Sequence, residues 1–260
     1  MLESGTQVTL IVNISLNFLQ ASSLQYLWDM INAQQIVILT PLFNVNIPQN
    51  AMIFFGWLMN IAAMEALPTD TIYDYVSKVE PMPIKQAFED LGMEHHLLLN
   101  NYGTLGFVIA MIPLIYLIHW LIHKIQGVKC CRKISKKLGK QLYWGMLLRL
   151  LIEGYVIGLI CCLINVQRLD FSMEVKWTFV NTVLTLLALP IMVLFPILSV
   201  RFMVKNRRIL NDPKMMQKYG EMTSGLNHSE SGVILFWFMD YFRKGLLALV
   251  VVMTTYQLWL

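Results

Sequence analysis

Three stretches of the chain, residues 30–64, 95–123 and 177–200, contain no Lys, Arg, Asp or Glu. Each is at least as long as the ~20 mostly apolar residues that one helix needs to cross a hydrocarbon core. A soluble fold of ordinary composition interrupts such runs with surface charge. Across all 260 residues, hydrophobic types make up 57% and charged types 14%, against roughly 45–50% and ~25% in globular domains. The pattern predicts an all-α protein, a multi-pass transmembrane helix bundle surrounded by lipid.

The apolar periods give about six spans, near 7–43, 50–66, 103–125, 142–166, 177–204 and 231–260, in a single membrane region. The first covers 37 residues. A helix of that length reaches about 55 Å, well beyond a core of ~30 Å. It is therefore either one long tilted helix or two shorter segments, ended by the turn-forming "NVNIPQN" at 44–50. Between the next two spans, "DTIYDYV" and "IKQAFEDLG" read as short surface helices. Pro190 and Pro196 are expected to interrupt the fifth span. Met1 is followed by no basic segment of the kind that opens a signal peptide, and the chain stops inside "LLALVVVMTTYQLWL". Both ends are expected to belong to a longer protein.

Charge between the spans sets an orientation. Residues 124–140 hold seven bases (Lys124, Lys129, Arg132, Lys133, Lys136, Lys137, Lys140) and no acid. Residues 201–230 hold six bases and three acids. The positive-inside rule places both loops in the cytoplasm. Contact with anionic lipid headgroups explains the net charge of +4, and no motif points to nucleic acid. Association of copies into a homo-oligomer is an open alternative. Which cell membrane would hold the protein is also open.

Polar residues inside apolar runs are the candidate functional groups, because a lone polar group in lipid is costly. On a helix, Asp29, Asn32 and Gln35 step by three and share a face. They bond to neighbouring helices or line a hydrated path. In "LLRLLIEGYVIG", Arg149 and Glu153 are spaced to pair one turn apart, and Gly154 and Gly158 form a small-xxx-small pattern for close helix packing. In "FMDYFRKGLLALV", Asp240 is spaced to meet Arg243 or Lys244. That cluster reads as an anchor at the headgroup level, with a gating role as the sharper alternative. Cys130 and Cys131 lie among lysines beyond a span, where reversible palmitoylation competes with plain thiols. Cys161 and Cys162 fall mid-span and read as small apolar packing groups.

His119 and His123 have a metal-compatible spacing but no third ligand nearby. No P-loop, GxGxxG, HExxH or GxSxG occurs. The expectation is a protein without enzymatic activity, cofactor or metal.

The run from Ser22 to Asp70, with Trp28–Asp29 leading to Asn32 and Gln35 and then Asn44-Val45-Asn46-Ile47-Pro48 before an aromatic span at Phe54 to Trp57, resembles the membrane region of ciliate multi-pass surface proteins. "LLIEGYVIGLICCLINV" and "ILFWFMDYFRKGLLALV" resemble later parts of the same region. That region is a TRP-like, polycystin-type C-terminal domain, carried behind large and often cysteine-rich ectodomains. The resemblance implies a TRP-like channel or transport module. The alternative is a non-conducting membrane anchor or assembly module of a larger surface protein.

The orientation makes one sharp prediction. The sequon Asn227-His228-Ser229 lies in a loop assigned to the cytoplasm. Expression in a glycosylating host should leave it unmodified, so glycosidase treatment should produce no gel shift; a shift abolished by Asn227→Gln would invert the topology.

Overall fold

A computed structural model describes residues 35–43, 47–62, 72–73, 75, 84–93, 95–124, 145–172, 175–210, 212, 215–216, 219–220, 222 and 231–257. The protein is all-α, with no strand among the described residues. After a helical turn at residues 35–38 comes a 3-10 turn, Thr40–Phe43. The helices that follow are α1 (Gln49–Ala62), the single turn α2 (Gln86–Glu89), α3 (Leu98–Lys124), α4 (Gly145–Glu153), α5 (Tyr155–Val166), α6 (Lys176–Asn206) and α7 (Ser231–Gln257).

These bounds follow the apolar runs closely, with instructive departures. The run at 142–166 forms two helices separated at Gly154, yet the Gly154 N–H still donates to the Leu150 carbonyl at 2.9 Å. The rung of the ladder survives, so α5 continues from α4 with little interruption. Pro190 and Pro196 do not end α6, which runs unbroken for 31 residues. Each proline deletes one donor, and the many intact rungs on either side keep the helix together. The "IKQAFEDLG" stretch does contain a helix, α2, but one face of it is interior: Phe88 is fully buried and its ring lies 6.1 Å from that of Tyr256. Of "DTIYDYV", Tyr73 is buried rather than on the surface.

Two compact units result. Unit 1 comprises Met1–Phe107, Val156–Met192 and Lys244–Leu260. Its core includes Phe88, Leu91, Val156, Ile160, Cys161, Cys162, Ile164, Ala248 and Val251, all almost wholly shielded. Both cysteines are free thiols. Gly158 shows how tightly α5 is packed: a Cβ placed there would lie 2.8 Å from Met192 Cε and 3.0 Å from the Tyr102 ring. Gly154 is also buried.

Unit 2 comprises Val108–Tyr155 and Val193–Arg243. Four rings organise it. Tyr241 has Trp237 at 4.3 Å, Tyr155 at 5.2 Å and Phe195 at 5.9 Å between ring centres. Tilted and edge-on contacts of this kind are worth ~0.5–1.5 kcal/mol each beyond simple burial.

Within unit 1, α3 changes direction at Gly103, whose φ of 46° and ψ of −128° lie outside the helical region. Only glycine reaches such angles without a Cβ clash. The Gly103 carbonyl accepts a hydrogen bond from the Tyr73 hydroxyl at 3.1 Å. A hydroxyl from another segment thus satisfies a carbonyl at the break in the helical ladder.

Gly103→Ala should therefore destabilise the protein by about 1–3 kcal/mol through backbone strain. Gly56→Ala is the matched control, because a Cβ there makes only an ordinary contact, 3.7 Å from the Asp90 carbonyl. It should be neutral or stabilising by up to ~1 kcal/mol. Thermal unfolding in detergent measures both, and equal effects would remove the strain argument.

Candidate functional site

Alpha-helical periodicity divides α6 into two faces of opposite kind to those of a soluble helix. Val180, Val183, Leu184, Leu187, Ile191, Leu194 and Leu198 are exposed. Thr178, Asn181, Thr182, Thr185 and Ser199 are buried, together with Met192, Phe195 and Met203. Threonine and asparagine thus occupy the inward stripe, and branched aliphatics the outward one. A core helix of a soluble protein is mostly buried, whereas only 28% of the apolar window of α6 is shielded. By length and composition α6 can cross a membrane, and it is the one described helix that meets both criteria.

The other long helices also expose large apolar residues and bury some polar ones. On α7, Leu235, Phe236, Met239, Phe242 and Leu246 are exposed, and Lys244 is buried alongside Ile234, Tyr241, Ala248, Val251 and Val252. On α3, Leu114, Leu117, Ile118 and Leu121 are exposed while Asn100, Asn101 and His119 are buried.

The inward polar groups of unit 1 join the start of α3 to the start of α6. The Asn181 Oδ1 accepts from the Leu99 N–H at 2.8 Å, and its Nδ2 donates to the Trp177 carbonyl at 2.9 Å. Leu99 lies in the first turn of α3, where backbone donors have no partner within the helix. Asn181 thus caps α3 from a distant helix. The Trp177 indole N–H donates to Asn100 Oδ1 at 3.1 Å. Asn101 bonds both the N–H and the carbonyl of His95.

The connection between α5 and α6 is tied down by Asp170. Its N–H donates to Thr182 Oγ1 at 3.2 Å, and its carboxylate accepts from the Ser172 N–H at 2.8 Å. The Thr178 hydroxyl donates to the Val175 carbonyl at 2.8 Å and reaches the second Asp170 oxygen at 3.5 Å. The bonds from Ser172, with Thr178 adding to them, hold the Asp170 carboxyl below the usual carboxylate range.

The residues singled out by sequence fall in different places. Gln35 is buried in unit 1. Asp29, Asn32, Cys130 and Cys131 lie outside the described residues. In unit 2, Arg149 is partly exposed on α4 while Glu153, one turn on, is buried. Glu153 lies two residues before Tyr155, a member of the four-ring cluster. Asp240 bonds Arg243 at 2.9 Å on an exposed face, so of its two sequence neighbours the arginine is a partner. At Gly158 an added Cβ would meet Met192 and Tyr102.

Asn100, Asn101, Asn165, Asn181 and Thr185 were not singled out by the sequence reading. The available signal was the spacing of Thr178, Asn181, Thr182 and Thr185, which marks one helical stripe inside a charge-free run. Among the described residues no group of three or more His, Cys, Asp or Glu is arranged to hold a metal.

No protein-family model matches the chain, and neither does any curated protein or solved structure. The class defined by the fold is accordingly the broad one: an all-helical protein with apolar outer helix faces and a polar interior stripe.

His96 provides a pH test. It is buried next to this network, and burial lowers its pKa below the ordinary 6.5, aided by Arg168 and His95 and opposed by Asp170. The folded protein therefore binds this proton less readily than the unfolded chain. Its contribution to stability is full above pH 6.5 and is lost as pH falls below that value toward the depressed folded pKa. Within that window the slope can reach at most ~1.4 kcal/mol per pH unit. His96→Gln should flatten it, as measured by unfolding midpoints between neutral and mildly acidic pH. An unchanged slope would assign the pH dependence elsewhere.

Proposed function

We propose that the chain is a multi-pass integral membrane protein, and that it works as a TRP-like channel or transport module. The observation that carries the membrane reading is the polarity of α6: aliphatic residues outward, Thr178, Asn181, Thr182 and Thr185 inward. Lipid rewards that arrangement and water penalises it. On this reading α1, α3, the α4–α5 pair, α6 and α7 are spans, joined by a segment within residues 7–43. The loops at 124–140 and 201–230 face the cytoplasm and meet anionic headgroups. At about 1.5 Å per residue α6 extends ~46 Å, so its ends reach the headgroup regions.

Transport is supported by polar side chains buried within the fold, chiefly Glu153 at the end of α4 and Gln35 in the helical turn at 35–38. Holding a carboxylate inside an apolar fold is costly without a functional or structural return. A second reading, a non-conducting anchor or assembly module, is favoured by a different observation. The network of Asn100, Asn101, Trp177 and Asn181 is spent on hydrogen bonds within the fold, as expected of interhelical glue.

Purified protein reconstituted into liposomes distinguishes the two. The transport reading expects a cation flux above that of empty liposomes, changed by Glu153→Gln while the amount of inserted protein stays constant. Absence of flux from correctly inserted protein would favour the anchor. Recovery of a monodisperse protein without detergent would remove both.

A further inference from the structure

Among the described residues of unit 1, Asn165 and Thr185 are the most deeply enclosed polar side chains whose bonding groups remain unused. Asn165 is 1% exposed and neither its amide oxygen nor its amide nitrogen has a hydrogen-bond partner. Thr185 is 0% exposed and its hydroxyl also lacks one. Thr185 differs in this respect from three other helical threonines. Thr178, Thr254 and Thr255 donate back to carbonyls three or four residues earlier. The Thr185 hydroxyl makes no such bond, so it is not turned onto its own helix backbone.

The helix register brings the two residues to one level. Gly158 of α5 packs against Met192 of α6. Asn165 lies seven residues after Gly158, and Thr185 seven residues before Met192. Seven residues are about two turns, so each residue lies on the same stripe as its packing neighbour. α5 and α6 are successive helices joined by a short connection, and the bond from Asp170 to Thr182 closes that end. Where two successive helices run antiparallel the two displacements coincide, which puts Asn165 level with Thr185 along the seam. The two side chains do not bond each other, which leaves both to be met by a third group.

We propose that this seam is a binding site for a small neutral molecule that both donates and accepts hydrogen bonds, namely water. The chemistry of the pair selects it. Asn165 presents a carbonyl oxygen and two amide hydrogens, and Thr185 a hydroxyl that serves either way. A cation would engage the oxygens and leave the amide hydrogens facing positive charge. No cluster of acids or metal ligands offsets that charge among the described residues. A water accepts from the Asn165 amide or the Thr185 hydroxyl and donates to the Asn165 oxygen, meeting the two to four partners that buried waters have. The seam holds it whether or not the chain conducts ions.

Hydroxyl-radical footprinting by X-ray pulses in oxygen-18 water, on the full chain in nanodiscs, tests the site. Radicals generated from a bound water label the side chains beside it even where bulk solvent has no access. Cys161, one turn before Asn165, and Met192 are buried reporters on the two helices. Rapid labelling of either in the native chain, lost in Asn165→Leu/Thr185→Val, is the expected result. Thr185→Ser, which keeps the hydroxyl, should retain it. If the double variant does not fold, the Thr185→Val and Thr185→Ser pair decides by the same contrast. Absence of labelling in the native chain, or equal labelling in the valine and serine variants, overturns the proposal. Neither outcome depends on whether reconstituted protein shows flux.

Discussion

The amide of Asn181 joins parts of unit 1 that the sequence holds far apart. One end of it satisfies an orphan donor in the first turn of α3, and the other closes onto the Trp177 carbonyl of its own helix. Trp177 in turn bonds Asn100 and lies 6.0 Å from Tyr73, whose hydroxyl serves the broken rung at Gly103. Removal of the Asn181 side chain would leave a buried helix end unsatisfied, at a cost of about 1–3 kcal/mol. Apolar contacts alone would not fix the register between α3 and α6. The aliphatic residues of α6 that could slide lie mostly on its outward side, and the directional bonds lie on its inward one.

That division of labour is unlike the simplest globular core, in which polar groups stay on the exterior. In this chain the exposed residues of α3, α6 and α7 include many aliphatic and aromatic side chains, while asparagine, threonine, histidine, lysine and glutamate are found inside among a larger number of apolar residues. Packing complementarity and hydrogen bonding then carry the specificity, as at the fit of Gly158 against Met192 and Tyr102. Unit 2 relies on rings, with Tyr155, Phe195, Trp237 and Tyr241 packed against one another.

The helices were largely legible in the sequence because uncharged apolar runs have few alternatives to helix. The bounds of α6, Lys176–Asn206, lie close to the expected 177–204, and those of α7 begin at the expected Ser231. Glu153 and Gly158 were legible as interior residues because a charge or a glycine pair stands out in such a run. The Asn181 cap was not, since its partner Leu99 is 82 residues away and has no distinctive side chain. The pairing of Asn165 with Thr185 was hidden for a related reason: register between helices depends on the length of their connection and on close contacts such as Gly158 with Met192. Backbone angles at Gly103 were equally invisible, as glycine in a helical run more often signals small size than a bend.

The two prolines of α6 leave a mechanical signature. Pro190 and Pro196 lack the amide hydrogens that would engage the carbonyls of Leu186 and Met192. The two missing rungs therefore lie less than two turns apart in an otherwise continuous helix. Bending at those levels strains fewer rungs than bending elsewhere, because the overlapping rungs on either side are the ones left to resist it. Resistance to bending is thus lowest near the middle of the helix.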